Sequence, residues 1–381
     1  PTIPHEVLVK IQNEILDYHG TGLSEMTFSH RSSLFIDILQ AFLTDLRALL
    51  FIPEEYEIIC MQGGGSLQFV DAAFNLSLER NRKVGCVVSG HWSALAYQQM
   101  RKIALLKTVL SASSEENGEF LNVPPVESWK IEADMDFIHF TSNETAHGVQ
   151  YHDLPKLKDN NPTLVCDMSS DILSRLVNIR EYGLIYASAQ KNIGPAGVTI
   201  IIIRKDLMQR AGDNFPDVLR YASYPPNDGM YHTPSTFSIY VCGLVTSWLR
   251  KLGGIPYICE FNQKKSDKLY AAIDNSDGFY RNKVNKKSRS IMNIVFQTKN
   301  KDLDSAFVKE AEEKKLYFLK GHKAVGGMRA SLYNAMPMEG VEALINFMHD
   351  FRRKYRKKQT GAKRWLKWKS LTQRCLPLRH H

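Results

Sequence analysis

The chain has 381 residues, of which 44% are hydrophobic and 23% charged, a composition typical of a globular protein with room for two domains. No apolar run approaches the roughly 20 residues that a membrane-spanning helix needs, which argues against a transmembrane protein. The net charge of +9 is unevenly placed: all 40 acidic residues lie at or before Asp350, whereas 12 of the 49 Lys and Arg residues lie from Arg352 onward. The basic character therefore belongs to a C-terminal tail, and nucleic-acid binding is at most a property of that tail.

The cysteine pattern bears on compartment and metal content. Six cysteines are dispersed along the chain without a Cys-x-x-Cys pair, so neither a disulfide framework nor a zinc site is indicated, and we predict no metal site. We expect a reducing, cytoplasmic environment. An organelle-targeting segment upstream of Pro1 stays open.

Strands alternate with helices over the first two thirds of the chain. The apolar stretch 57–61 predicts a strand, Gly63-Gly64-Gly65 a turn, and the spacing of Leu67 and Phe74 a helix. Further strands are predicted at 84–88, 137–140, 163–166, 184–187 and 198–203. This alternation indicates an α/β fold with a mostly parallel sheet that helices cover on both faces.

The pattern changes after Gly253-Gly254. Strands are predicted at 292–297 and 328–333, with a charged helix at 302–315 between them and a final amphipathic helix that contains Val341 and Phe351. We interpret residues 10–255 as a large domain and residues 256–354 as a smaller α+β domain, with residues 1–9 packing on the smaller one. Residues 355–381 are expected to form a disordered basic tail.

Three glycines follow the first predicted strand. Gln68 stands where a dinucleotide-binding fingerprint needs its third glycine, and no Gly-Lys-Ser/Thr of a P-loop follows. The backbone N–H groups of Gly65 and Ser66, with the dipole of the following helix behind them, would still suit an anion such as phosphate. A tight turn without a ligand fits the same residues equally well.

Asp167 and Lys191 each follow a predicted apolar strand, where ligands bind in open α/β sheets. Taken singly, Asp167 is also a suitable helix N-cap and Lys191 an ordinary surface lysine. Together with a glycine turn for phosphate, they match what pyridoxal phosphate requires, namely an amine, an acid for the pyridine nitrogen and an anion cradle.

Three longer motifs carry a family resemblance. Gln190-Lys191-Asn192-Ile193-Gly194-Pro195-Ala196-Gly197, the segment 167–175 and the segment 326–335 resemble the phosphoserine aminotransferases, in consistent order over residues 1–351. The resemblance implies a fold type I pyridoxal phosphate enzyme with a mostly parallel seven-stranded sheet in its large domain. It also implies a homodimer with shared active sites. The implied reaction transfers an amino group from glutamate to 3-phosphohydroxypyruvate in serine biosynthesis.

The resemblance assigns catalytic roles to three residues. Lys191 corresponds to the lysine that bonds covalently to the cofactor and then shuttles a proton. Asp167 corresponds to the acid that keeps the pyridine nitrogen protonated, and Trp92 to the aromatic side chain that stacks on the ring. Without the resemblance, Trp92 would be interpreted as a core tryptophan.

Further cofactor contacts are implied by the same resemblance. Thr145 would bond the phenolic oxygen, while Gly65, Ser66 and Gln190 would hold the phosphate. His232 and Thr233 would reach that phosphate from the partner subunit. The family usually has Asn where His232 stands, and His can still donate to phosphate.

Substrate recognition is assigned to cationic side chains. Arg329 corresponds to the ligand of the α-carboxylate, for which a planar guanidinium is suited. His30, Arg31, His322 and Lys323 match positions that bind the substrate phosphate or the distal carboxylate of glutamate. Lys323 replaces the family's Arg and loses its fork geometry, which predicts weaker affinity with the chemistry retained.

Two alternatives stay open at this point. One is another fold type I enzyme, such as a cysteine desulfurase or a different aminotransferase. The other is an inactive relative that binds a partner through its basic tail, although we do not expect the tail to contact nucleic acid or a membrane. A further activity on 4-phosphohydroxythreonine in pyridoxine synthesis is also left open.

Overall fold

The computed structural model describes residues 2–153, 155–157, 162–212, 215–224 and 229–374, and after Arg356 it describes the backbone alone. The helices are α1 (His5–Glu14), α2 (Ser33–Leu50), α3 (Gly64–Ser77), α4 (His91–Met100), α5 (Lys205–Met208), α6 (Thr236–Lys251), α7 (Gly254–Asp274), α8 (Lys301–Glu313) and α9 (Met338–Arg374). The strands are β1 (Tyr56–Met61), β2 (Lys83–Val88), β3 (Lys107–Ser113), β4 (Glu115–Glu116), β5 (Glu119–Phe120), β6 (Phe137–Thr141), β7 (Asn143–Glu144), β8 (Val149–Gln150), β9 (Thr163–Asp167), β10 (Leu184–Ser188), β11 (Thr199–Arg204), β12 (Tyr280–Arg281), β13 (Asn293–Thr298) and β14 (Met328–Ser331). Short 3-10 turns connect several of them.

The central sheet has seven strands in the order β1-β11-β10-β9-β6-β2-β3. β11 runs antiparallel to both of its neighbours, and the remaining pairs are parallel. The predicted α/β class and the mostly parallel seven-stranded sheet are confirmed. Each predicted strand of this sheet overlaps an observed one.

Both faces of this sheet are buried, which explains the unbroken apolar character of its strands. Along β1, Ile58 belongs to the hydrophobic core on one face and Ile59 to the core on the other, as the two-residue period of a strand requires. α2 and α6 cover the first face, for example through Phe42. α3 and α4 cover the second face, for example through Phe69.

A second, smaller core lies among β12, β13, β14, α7, α8 and α9. The apolar stripe expected on the last helix is buried there, with Val341, Met348 and Phe351 at its centre. Within the described ranges, no helix has both the length and the hydrophobicity needed to cross a membrane.

Two sequence predictions about the ends of the chain differ from the structure. Residues 1–9 were expected on the smaller domain, but Val7 of α1 lies in the core of the large domain, because Val7 and its apolar neighbour Ile3 pack beside α6. Tyr240 of α6 donates a hydrogen bond to Glu14 at the end of α1.

The other prediction, disorder over residues 355–381, differs from the structure only for residues 355–374, where the α9 backbone continues to Arg374. This segment is rich in Lys and Arg, which favour helix, and has no proline before Pro377. Residues 375–381 and the side chains after Arg356 lie outside the described part of the chain.

Candidate active site

A cavity of about 180 Å³ lies at the carboxyl edge of the central sheet. Three parallel strands end there in polar residues, which are Thr141 in β6, Asp167 in β9 and Ser188 in β10. Six residues that the sequence predicted for the site line this cavity: Gly65, Ser66, Trp92, Asp167, Gln190 and Lys191. The structure therefore brings the predicted amine, acid, aromatic ring and glycine turn together.

Lys191 lies in the turn that follows β10. The backbone N–H groups of Ile193 and Gly194 both donate to the carbonyl of Ala189, which folds the turn back on itself. A side chain at Gly194 would come within 2.8 Å of the Sγ of Cys242, so this turn packs closely on α6. The Nζ of Lys191 lies 5.7 Å from the centre of the Trp92 ring. Burial lowers the pKa of Lys191, and the carboxylates of Asp167 and Glu144 partly offset that shift.

Asp167 is buried at the end of β9. Its Oδ1 accepts a hydrogen bond of 2.9 Å from the backbone N–H of Ser169, which orients the carboxylate. Burial raises the pKa of Asp167, and the positive charge of Lys191 opposes this shift. An amine and a carboxylate thus share one enclosed site, and each favours the charged form of the other.

Hydrogen bonds of both its backbone and its side chain hold the indole ring of Trp92 in place. The buried carboxylate of Glu144 accepts hydrogen bonds from the backbone N–H groups of Trp92 (2.9 Å) and Ser93 (2.7 Å) at the start of α4. The Nε1 of Trp92 donates to the Oγ1 of Thr145 at 2.8 Å. A Cβ at Gly90 would lie 2.5 Å from the Cδ of Glu144, so the close approach of that carboxylate requires glycine there.

The start of α3 forms another wall of the cavity. Gly63 precedes this helix with φ +96°, a conformation that glycine adopts at little cost. The backbone N–H of Gly65 donates to the Oγ of Ser188 at 2.6 Å, and a Cβ at Gly65 would lie 3.4 Å from the hydroxyls of Ser169 and Ser188. Backbone N–H groups, hydroxyls and a helix dipole meet at one point, which suits an anion.

The smaller domain contributes Arg329 and His322. An Nη of Arg329, on β14, donates to the carbonyl of Thr145 at 3.2 Å, whereas its buried Nε has no hydrogen-bond partner in the described part of the protein. The His322 ring lies 6.4 Å from the Trp92 ring, centre to centre. Lys323 is the next residue, and its charge acts on the pKa of His322.

Eight of the predicted residues do not line this cavity: Thr145, His322, Lys323 and Arg329, described above, and His30, Arg31, His232 and Thr233. His30 and Arg31 lie in the loop before α2, where Arg31 is exposed. His232 is half-buried, and the carbonyl of Thr233 accepts a hydrogen bond of 3.3 Å from Gln62. The assignment of His30 and Arg31 to substrate binding stays a prediction. His232 and Thr233 were assigned to a partner subunit from the outset.

The sequence did not predict several polar residues of the cavity. They are Thr141, Asn143, Ser169, Ser170 and Ser188. The signal that could have found most of them is their position directly at or after the end of a predicted strand. The hydroxyl of Thr141 is buried without a hydrogen-bond partner among the described residues, which is typical of a site built to receive a polar ligand.

This set of groups could hold pyridoxal phosphate. A lysine amine, a buried carboxylate, an aromatic face and an anion-binding helix start meet in one cavity that also contains an unpartnered hydroxyl. In the part of the chain that the structure describes, no three His, Cys, Asp or Glu side chains are grouped so that they could hold a metal ion.

Comparisons with known proteins agree with this geometry. Residues 2–344 match the model of the family described as aminotransferase class V. The chain is 50% identical over 353 residues to a phosphoserine aminotransferase of Neisseria meningitidis. This alignment covers 93% of this chain and 96% of that protein. The structure of phosphoserine aminotransferase from Bacillus circulans subsp. alkalophilus superposes with a TM-score of 0.88 at 39% identity, covering 93% of this chain and 96% of that one. The pyridoxal-phosphate-bound phosphoserine aminotransferase of Trichomonas vaginalis gives a TM-score of 0.85 at 33% identity, covering 91% and 97%.

Proposed function

The chain belongs to the phosphoserine aminotransferases of aminotransferase class V, and we propose that it transfers an amino group between glutamate and 3-phosphohydroxypyruvate with pyridoxal phosphate as cofactor. The products are 2-oxoglutarate and phosphoserine, the step expected of such an enzyme in serine biosynthesis. The observation that carries the proposal is the meeting of Lys191, Asp167 and Trp92 in one cavity beside Arg329. The alternatives of another fold type I enzyme or an inactive binding protein are not favoured by the comparisons.

The large domain, residues 10–255, would hold the cofactor, and the smaller domain, residues 256–354, would complete the substrate site. Pyridoxal phosphate, when bound, supplies an aldehyde for exchange of the amino group and an aromatic ring that accepts electrons. Gly65 and Ser66, at the start of α3, would bind its phosphate together with Gln190. Thr145 would act on the cofactor while it holds the indole of Trp92 in place.

Lys191 would carry the reacting proton. Its Nζ would take the proton from the α-carbon of the amino acid and pass it to the cofactor, and it would move a proton in the reverse direction in the opposite half-reaction. Burial lowers the pKa of Lys191 and so favours the neutral amine, which is the form that accepts this proton. Asp167 would keep a proton on the pyridine nitrogen, since a carboxylate in an enclosed site strongly favours a neighbouring positive charge.

Arg329 would bind the α-carboxylate common to both amino acids. Its bond to the carbonyl of Thr145 fixes one edge of the guanidinium, and its buried Nε is available for a ligand within the described structure. His322 and Lys323 would contribute positive charge and donors for the phosphate or the distal carboxylate. The site thus recognises a carboxylate at one point and a second anionic group at another.

The assembly that would complete the site is a homodimer. His30 and Arg31 lie outside the cavity of a single chain, as do His232 and Thr233. We propose that all four act in the site of the neighbouring protomer, so that His30 of the partner subunit and His232 of the partner subunit approach the anionic ligands. This proposal explains why residues that match the family's site occur so far from the cavity in one chain.

A substrate comparison tests the activity. The purified enzyme with pyridoxal phosphate is supplied with glutamate and either 3-phosphohydroxypyruvate or hydroxypyruvate, and 2-oxoglutarate is measured. We expect a kcat/KM at least about a hundredfold higher with the phosphorylated acceptor, because a site built for an anion leaves its donors unpaired when the anion is missing. Equal rates with the two acceptors would contradict the proposal.

A further inference from the structure

The imidazole rings of His91 and His322 lie beside Trp92, and the ring of His147 accepts a hydrogen bond from the backbone of His91; the family resemblance accounts for only one of these three histidines. His91 begins α4, His147 lies in the loop between β7 and β8, and His322 lies in the loop before β14; these three residues form the imidazole cluster. The rings of His91 and His322 are 4.6 Å apart, and the His91 ring is 5.1 Å from that of Trp92, centre to centre. The cluster therefore lies next to the catalytic cavity.

Hydrogen bonds set which ring nitrogens of the cluster donate. The Nδ1 of His147 accepts from the backbone N–H of His91 at 3.3 Å, and the Nδ1 of His322 accepts from the backbone N–H of Ala324 at 3.3 Å. In their neutral forms both rings must therefore carry their proton on Nε2. His147 and His322 each present a donor, which is the type of group that an anion requires.

The charges around the cluster are mainly positive. Burial lowers the pKa of His91 and of His322. The charge of Lys323 lowers both pKa values further, and that of Arg329 adds to the shift of His322. Burial, together with the other two rings, lowers the pKa of His147 to about 4. The nearby carboxylates are engaged elsewhere: Glu144 binds the start of α4, and Glu119 pairs with Lys283 at an adjoining cavity that Arg281 also lines.

We propose that His91 and His147 bind the phosphate group of the substrate together with His322 and Lys323, and that the cluster takes up a proton when the phosphate binds. This inference rests on the proposed function and names two specificity-determining residues for it. A phosphate carries nearly two negative charges and three acceptor oxygens at neutral pH, so it suits several donors better than a carboxylate does. No bond is made or broken; a proton moves from solvent to an imidazole as the dianion enters.

The pH dependence follows from the same charges. In the free protein the imidazoles are held mostly neutral above pH 7, because burial and the neighbouring cations lower their pKa values. A bound dianion favours the protonated ring and raises those pKa values. Phosphoserine binding should therefore weaken as the pH rises from 7 towards 8.5, whereas glutamate, which has no phosphate, should respond less.

Variants of the two unassigned histidines test this proposal in the pyridoxal phosphate holoenzyme. His91→Gln, His147→Gln and the double variant are compared with wild type and with His349→Gln, an exposed histidine of α9. We expect the ratio of kcat/KM for phosphoserine to that for glutamate to fall about tenfold or more in the double variant, since each lost bond to a charged group is worth about tenfold. We also expect the pH dependence of this ratio to flatten, and His349→Gln to match wild type.

Proton uptake by the wild-type enzyme provides a test that needs no variant. Calorimetric titrations in buffers of different ionisation enthalpy at pH 7.5 should show more proton uptake on binding phosphoserine than on binding glutamate. Equal uptake, or variants that keep the wild-type ratio and pH profile, would overturn the inference while leaving the proposed function intact. If wild type did not distinguish phosphoserine from serine, the proposed function itself would fail.

Discussion

The side-chain oxygen of Asn192 accepts a hydrogen bond of 3.0 Å from the backbone N–H of Asn334. Asn192 follows Lys191, and Asn334 follows the strand that carries Arg329. The side chain of Asn334 also donates to the carbonyl of Leu173 and accepts from Asn262 on α7. One buried amide network therefore joins the lysine-bearing turn to the arginine-bearing strand, and this link sets the distance between the proposed proton carrier and the carboxylate ligand.

Replacing Asn334 by alanine should loosen this link. The change leaves the carbonyl of Leu173 and the amide of Asn262 without their partner, which costs about 1–3 kcal/mol of unfolding free energy. We also expect a lower kcat, since the backbone N–H of residue 334 still bonds Asn192 but loses the side-chain bonds that hold it in place beside the Lys191 turn. Chemical unfolding and steady-state kinetics measure both effects, with the exposed Asn346→Ala as control. Wild-type stability and kcat in Asn334→Ala would show that the network is unimportant.

Lys191→Ala should abolish turnover and remove the visible absorption that arises when the cofactor bonds to this amine. The fold should persist, because Lys191 lines a cavity and does not belong to a hydrophobic core. Absorption spectra, assays and circular dichroism measure the three properties, and the exposed Lys102→Ala serves as control. Transamination by Lys191→Ala without added amine would disprove its role.

Arg329→Lys should weaken the binding of both amino acids, glutamate and phosphoserine. Each presents an α-carboxylate, and lysine cannot reproduce the paired donors of a guanidinium. The loss of one bond to a charged group predicts KM values about tenfold higher for glutamate and phosphoserine alike. Steady-state kinetics with each substrate, beside the exposed Arg353→Lys, provide the measurement. If only one KM changed, Arg329 would instead be specific for that substrate.

Glu25 should make stability depend on pH. Both of its carboxylate oxygens are buried without a hydrogen-bond partner in the described residues, and burial raises its pKa to about 7. Between about pH 4.5 and 7 the folded state binds the proton more tightly than the unfolded state, so stability falls as the pH rises. As the pH rises across this window, the unfolding free energy of Glu25→Gln should increase relative to that of wild type by on the order of 2 kcal/mol. Unfolding at several pH values measures this, and the exposed Glu54→Gln should show no such gain.

The sequence predicted the central strands because both faces of the sheet are buried, which leaves unbroken apolar runs such as that of β11. It missed β3, an edge strand whose exposed positions interrupt its apolar pattern. It also missed α2, although Ser32 before this helix and Pro53 after it are signals of a helix start and a helix end.

The cavity-lining part of the site was predictable because strand ends, glycine turns and a family motif coincide at Asp167, Gly65 and Lys191. The roles of Glu144 and Thr141 were not, since they depend on contacts between segments far apart in the chain. The imidazole cluster illustrates the same limit. His91 and His147 are separated by 56 residues, and only the fold brings one ring to the backbone N–H of the other.

The visible absorption spectrum of the protein with pyridoxal phosphate, recorded before and after addition of phosphoserine or serine, tests the cofactor, the lysine and the substrate phosphate together. We expect an absorption band from the cofactor bound to Lys191. Phosphoserine should convert this band to that of the aminated cofactor, and serine at the same concentration should do so at least about tenfold more slowly. A band that responds equally to both amino acids, or no band at all, would contradict this expectation.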